Sequence, residues 1–221
     1  MELNICHLYP DILNLYGDRG NIITMKRRLE SRGISVTVDE CSIGQPLDVN
    51  KYDIFFIGGG QDFEQEVLLR DLASGKGKDI CTAVEEEKVF LAICGGYQMM
   101  GRTVSDPDNT EGGGSLRGMS LLPIDTVFRP SKTTTQTRGT LLEIDGVLSD
   151  LSGLAVEGYE IHMGETVRDA SAKPLVRLLR REGEIEDAVK RKTPSALICT
   201  ACSMRRRRRC GRRRHWRKRR A

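Results

Sequence analysis

Apolar and polar positions along the chain follow two rhythms. Leu3 to Leu8 reads as a strand, and Tyr9 to Asn21 as a loop rich in Asp, Gly and Asn. Ile22 to Gly33 has helical spacing and ends on a glycine, the residue that most readily closes a helix in the left-handed conformation. Ile34-Ser35-Val36-Thr37-Val38 is β-branched and alternating, which predicts a strand. Asp53-Ile54-Phe55-Phe56-Ile57 is a short continuous apolar run, as expected of a strand buried on both faces, and it leads straight into Gly58-Gly59-Gly60. Gln61 to Leu72 is again helical in spacing. A second apolar run, Val89 to Ile93, ends at Cys94 and is followed by Gly95-Gly96 and another helix-like stretch. Strands alternating with helices predict a parallel, layered α/β sheet. From Gly118 to about Val189 the pattern is shorter and strand-rich, with Gly and Thr punctuation. No internal repeat is visible, and Arg205 to Arg220 is low-complexity.

The chain has 221 residues, of which 38% are hydrophobic and 30% charged, enough for one substantial core with a short appendage. No apolar run is long enough to span a membrane. The opening Met1-Glu2-Leu3-Asn4-Ile5 lacks the basic segment and cleavage site of a secretory signal. Seven cysteines without export predict reduced thiols in a cytoplasm. The formal charge of +4 hides an asymmetry: 12 of the 35 basic residues fall between Arg205 and Arg220, and no acid follows Asp187. The expected organisation is one domain over 1–189 and an arginine-rich tail over 190–221.

Phe90-Leu91-Ala92-Ile93-Cys94-Gly95-Gly96-Tyr97-Gln98 has the layout of a nucleophile elbow: a buried strand ends, Cys94 sits on a sharp turn, and small residues let the next helix start close by. A helix N-terminus there would favour a thiolate. The N–H of Gly95 would be placed to donate to an oxyanion. Gly58-Gly59-Gly60 also follows a buried strand, so a parallel sheet would bring it to the carboxyl edge where such sheets build their sites. It is not a dinucleotide fingerprint, because the G-x-G-x-x-G spacing is absent.

Ile93-Cys94-Gly95-Gly96-Tyr97-Gln98-Met99-Met100-Gly101 resembles the nucleophile motif of the cobyric acid synthase-like glutamine amidotransferases, triad-type enzymes with a flavodoxin-like parallel sheet. His7 to Ile22 and Gly58-Gly59-Gly60-Gln61-Asp62 resemble the glutaminase subunit of lipid II isoglutaminyl synthase. Gly118 to Pro123, Lys132-Thr133-Thr134 and Gly158-Tyr159-Glu160-Ile161-His162-Met163-Gly164 resemble the glutaminase domain of cobyric acid synthase. The resemblance implies that Cys94 is the nucleophile, that Gly60 and Gly95 form the oxyanion hole, and that Gln98 holds the glutamine. Lys132 and Arg138, after a Pro-Ser turn, are candidates for the substrate carboxylate, which needs a cation; solvated loop charges are the alternative.

A cysteine glutaminase also needs a general base, and the chain has three histidines, His7, His162 and His215. His7 reads as a packed residue at a strand end. His162 is a possible substitute base, with a structural role in its turn as the alternative. The family's histidine motif, Gly-Thr-Tyr-Leu-His-Gly, is not present; in its region stands Ser195-Ala196-Leu197-Ile198-Cys199-Thr200-Ala201-Cys202-Ser203. The genetic code links the two. When the third base of each codon is read with the first two of the next, permitted synonymous codons turn Ser195 to Met204 into Gly-Thr-Tyr-Leu-His-Gly-Val-Phe-Asp, with the histidine arising across Cys199 and Thr200. Arginine codons in that frame yield Ala and Glu. Residues from about Lys190 onward are therefore expected to be the product of a frameshift. Cys199, Cys202, Cys210 and His215 fit no common zinc knuckle, and a nucleic-acid arm with Trp216 as its lone aromatic is disfavoured.

The expected function is glutaminase through a Cys94 thioester, with no metal and no cofactor. The chain has no G-x-x-x-x-G-K-[ST] loop to activate an acceptor with ATP. Ammonia is expected to pass to a separate ATP-dependent, Mur-ligase-like synthetase subunit that amidates a cell-wall precursor. The alternatives are corrin side-chain amidation and a non-catalytic partner protein that has lost its base.

Overall fold

A computed structural model describes residues 1–13, 18–60, 62–110, 112–180, 183–190, 197–200 and 202–206. The first half alternates strand and helix: β1 (Glu2–Leu8), α1 (Arg19–Glu30), β2 (Ser35–Cys41), β3 (Ile54–Ile57), α2 (Asp62–Asp71), α3 (Gly77–Glu85), β4 (Val89–Ile93) and α4 (Gly95–Met100). A strand-rich insertion follows, made of β5 (Thr103–Asp106), β6 (Gly114–Arg117), β7 (Ile124–Leu141), β8 (Ala155–Arg168), β9 (Lys173–Arg180) and β10 (Gly183–Lys190). β11 (Leu197–Thr200) then returns to the first half, and β12 (Cys202–Arg206) pairs with β8.

Five strands lie side by side in the order β2-β1-β3-β4-β11, and every neighbouring pair among them is parallel. That order, 2-1-3-4 and a fifth, is the flavodoxin-like arrangement. The rest of the sheet runs β11-β10-β9-β7-β8-β12, and each of these pairs is antiparallel. The expected parallel α/β sheet is therefore present as one half of a mixed sheet. The strand-rich reading of the insertion holds, but β7 and β8 are long, 18 and 14 residues.

The continuous apolar runs explain the layering. In β3, Phe55 and Ile57 point to one face, where they join Phe90 and Ala92 of β4 and Leu68, Leu72, Ile80 and Ala83 of α2, the turn after it and α3. Phe56 points to the other face and packs with Ile5, Ile22 and Val36, with Leu91 and Ile93 alongside. A strand covered on both faces has no polar side to alternate with. α1 begins earlier than the apolar spacing suggests. It closes as expected near Gly33, whose φ of +76° is the left-handed conformation. α3 was not legible as a separate element. Leu72 to Lys76 forms a widened turn with Gly75 at φ +138°, which breaks one helical run into two.

Candidate active site

The carboxyl ends of β3 and β4 meet at one edge of the sheet, and each is followed by glycines. Cys94 leaves β4 with φ +51° and ψ −116°, outside the regions that residues with a side chain ordinarily adopt. Such strain, about 1–3 kcal/mol, persists where the surroundings impose it. Here the next turn imposes it. The Gly96 N–H donates to the Gly58 carbonyl at 2.9 Å. A Cβ on Gly96 would lie 2.7 Å from that carbonyl oxygen and 2.9 Å from Ile57 Cγ2. α4 can thus start only flush against the end of β3, and Cys94 takes up the bend.

The Gly58–Gly60 segment lies directly on the cysteine. A Cβ on Gly59 would sit 2.8 Å from Cys94 Cβ and 3.2 Å from Sγ. Backbone therefore approaches the sulfur more closely than a side chain would allow, leaving Cys94 half-buried. Gly95 is the first residue of α4, so its N–H has no acceptor within the helix. Gln98, one turn on, is buried and donates its own N–H to the Cys94 carbonyl at 3.0 Å. Its Nε2 lies 2.8 Å from where a Cβ on Gly164 of β8 would be. The insertion thus curls back over α4, and Gly164 lets it come close.

Cys94, Gly95 and Gln98 thus lie with the Gly58–Gly60 segment at the carboxyl edge of β3 and β4. Lys132 and Arg138 are not gathered with them. Lys132 is exposed in the irregular stretch where the β7–β8 register shifts. Arg138 is opposite Glu157 on β8 and Leu179 on β9, with its Nε 3.9 Å from Glu157 Oε2. Glu157 and Gly164 have opposite parity on β8, so Arg138 is on the face of the strand turned away from Gln98.

His162 lies on the same face of β8 as Gly164. Its Nε2 is 2.8 Å from Oε1 of the fully buried Glu160, which also accepts from Arg180 Nη2. Burial alone would lower the imidazole pKa, but the Glu160 hydrogen bond and charge, with a backbone hydrogen bond at Gly164, raise it. Burial would likewise raise the Glu160 pKa, yet His162 and Arg180 hold it below the usual carboxylate range. Each partner thus stabilises the charged form of the other. His7 is packed as expected: it is buried, edge-on to Phe56 at 5.3 Å, and burial lowers its pKa. His215 and Cys210 lie outside the described residues, as do the side chains of Cys199 and Cys202.

Sequence reasoning missed Asp18. Its Oδ2 accepts the Gly59 N–H at 3.3 Å, beneath the glycine loop. An acid just before a helix reads as a cap, and nothing in the pattern points it elsewhere. β11 supplies another structural fact. It runs parallel to β4 with Cys199 opposite Ala92 and Thr200 opposite Ile93, so its backbone ends at the same edge one residue short of Cys94.

A strained cysteine between a buried strand and a short helix, overlaid by glycine backbone at the edge of a flavodoxin-like sheet, has the geometry of a nucleophile elbow. The chain belongs to the CobB/CobQ-like glutamine amidotransferase domain family, whose model matches residues 4–200, and it is a glutamine-hydrolysing enzyme. It is 34% identical over 188 residues to the GatD subunit of lipid II isoglutaminyl synthase (glutamine-hydrolyzing) from Streptococcus pneumoniae, covering 85% of this chain and 68% of that one. Its identity to the GatD subunit from Staphylococcus aureus is 39% over 168 residues, covering 76% and 63%. A cobyric acid synthase from Lachnoclostridium phytofermentans is 50% identical over 93 residues, covering 42% of this chain and 18% of that relative. Among solved structures, PurLQS from Thermotoga maritima shares the fold with a TM-score of 0.62 at 16% identity, over 92% of this chain and 88% of that one. Among the described residues, no helix is long and apolar enough to cross a membrane.

Proposed function

We propose that this domain is the ammonia-producing subunit of a two-part amidating enzyme acting on a cell-wall precursor of the lipid II class in the cytoplasm. Cys94 attacks the amide carbon of glutamine, and the tetrahedral oxyanion is met by the N–H groups of Gly60 and Gly95. The C–N bond breaks, ammonia leaves with a proton from the general acid, and water hydrolyses the thioester to glutamate. Gln98 orients the substrate. The observation that carries the reading is the close seating of Gly59 on the Cys94 sulfur, supported by the GatD relatives, which match most of this chain. The identity to a cobyric acid synthase keeps corrin amidation as the second reading, over a shorter stretch.

The general base is the histidine encoded in the alternative frame across Cys199 and Thr200. Support comes from the register of β11, which ends beside Ile93 at the edge that carries the cysteine, and from the family match, which extends to residue 200. With residues 190–221 read as frame-shifted, the chain as it stands lacks a positioned base. A proton-transfer role of this kind is worth about 10²–10⁴ in rate. The test is to express the chain beside a version with the frame restored from Lys190 onward and measure glutamate release. The restored version should be faster by at least about 10²-fold, and changing its new histidine to alanine should remove the gain. Equal rates in the two versions would overturn the frame reading, and His162 would then be the base to test.

A further inference from the structure

Asp18 occupies the position that caps α1, yet it makes no side-chain hydrogen bond to the first turn of that helix. Its side chain is instead buried, 3% exposed, with Oδ2 accepting the Gly59 N–H. Its Cβ and Cγ also fill the space beside Gly58, where a Cβ would meet each at 2.8 Å. The Gly59 N–H and the Gly58 carbonyl belong to one peptide unit. The carbonyl end of that unit accepts from the Gly96 N–H at 2.9 Å, and the N–H end donates to Asp18. In a trans peptide the two groups point in opposite directions. The plane is thus held at both ends, between the helix that starts from the nucleophile and the carboxylate beneath the loop. Flipping it would break both bonds at once and leave buried polar groups unpaired.

We propose that Asp18 is a positioning residue for the oxyanion site, which fixes the Gly58–Gly59 peptide so that the next N–H, that of Gly60, faces the reacting carbonyl together with Gly95. The inference rests on the glutaminase reading. A buried carboxylate close to a site that develops negative charge is electrostatically unfavourable, and a short hydroxyl would cap α1 as well. What the carboxylate supplies, and a short hydroxyl would not, is the reach to Gly59. Asp18 therefore serves the glycine loop across the sheet edge as much as the helix that follows it.

The experiment compares two reagents on the chain as it exists, using Asp18→Ser, Asp18→Ala and Asp18→Asn. A chloroketone analogue of glutamine places its ketone oxygen in the oxyanion site, whereas iodoacetamide needs only the sulfur. Losing one oxyanion donor is worth about 10²–10³. The Ser and Ala variants should therefore react with the chloroketone about 10²-fold more slowly, and with iodoacetamide at a nearly unchanged rate. Asp18→Asn keeps an oxygen acceptor and should recover most of the loss. The serine variant also restores a helix cap, so its melting temperature should match or exceed that of the parent, which separates loop positioning from folding. A serine variant that takes the chloroketone as fast as the parent would overturn the proposal. So would equal slowing with both reagents together with a lowered melting temperature. A parent chain that shows no preference for the chloroketone over iodoacetamide at Cys94 would sink the glutaminase reading itself, an outcome distinct from both.

Discussion

Glu160 and His162 are two ionisable residues on one face of β8, and their charges are interdependent. Glu160 is lowered from its usual value of 4.5, so its contribution to stability is present above that pH and lost as pH falls through its folded value. His162 is raised from 6.5, so its contribution is complete below that pH and lost as pH rises through its folded value. The pair therefore contributes fully between these two reference values. Melting temperature followed from neutral to alkaline pH should fall as His162 deprotonates. In Glu160→Gln that fall should be weaker, because the carboxylate that raises the histidine is gone. Identical slopes for parent and variant would show that the pair is not the source. At this scale the sequence was legible where the chemistry is local. The turn at Cys94 and the glycines around it could be read from one stretch of chain. The Asp18–Gly59 and Glu160–Arg180 contacts could not, because each joins two elements that only folding brings together.

The elements differ in how tightly they hold their glycines. Gly20 lies inside α1 with no heavy atom within 4 Å of a prospective Cβ, and its φ is ordinary. Replacing it with alanine removes backbone freedom from the unfolded chain, so Gly20→Ala should stabilise by about 0.5–1 kcal/mol. Gly96 lies inside α4, where a methyl would press on the Gly58 carbonyl and Ile57. Gly96→Ala should destabilise by about 1–3 kcal/mol and push the elbow away from the glycine loop. Urea unfolding of the two variants checks both signs, and a stabilised Gly96→Ala would mean that α4 is not seated as described. The same contrast explains what could be read in advance. Apolar runs fixed the existence of β1, β3 and β4 because a parallel strand buried on both faces needs a continuous run. The end of α2 falls where the helical spacing of Gln61 to Leu72 stops, but α3 beyond it was hidden, because Gly75 at φ +138° and Gly77 read as a loop rather than as the start of a second helix. The length of β7 and β8 was hidden too, because a strand carrying Thr, Gly and Arg on one face resembles a series of loops.

For the whole molecule, the question is where the ammonia goes. Released into water near neutral pH, ammonia is mostly protonated and cannot act as a nucleophile, so an amidating enzyme gains by delivering it under cover. Cys94 is half-buried at the sheet edge, with the insertion curled over α4 beside it. On the proposed reading, the synthetase subunit that activates the acceptor docks at that edge and receives the ammonia directly. Copurification from the native host should then recover an ATP-dependent, Mur-ligase-like protein with this chain. The frame-restored glutaminase should release free ammonia more slowly per glutamate when that subunit, ATP and the acceptor are all present than when it is alone. If the chain stays monomeric at micromolar concentration beside such a synthetase, and all its ammonia appears free in solution, the two-subunit reading fails. A result of that kind would leave the Cys94 chemistry standing and move the search for an acceptor to the corrin-type alternative.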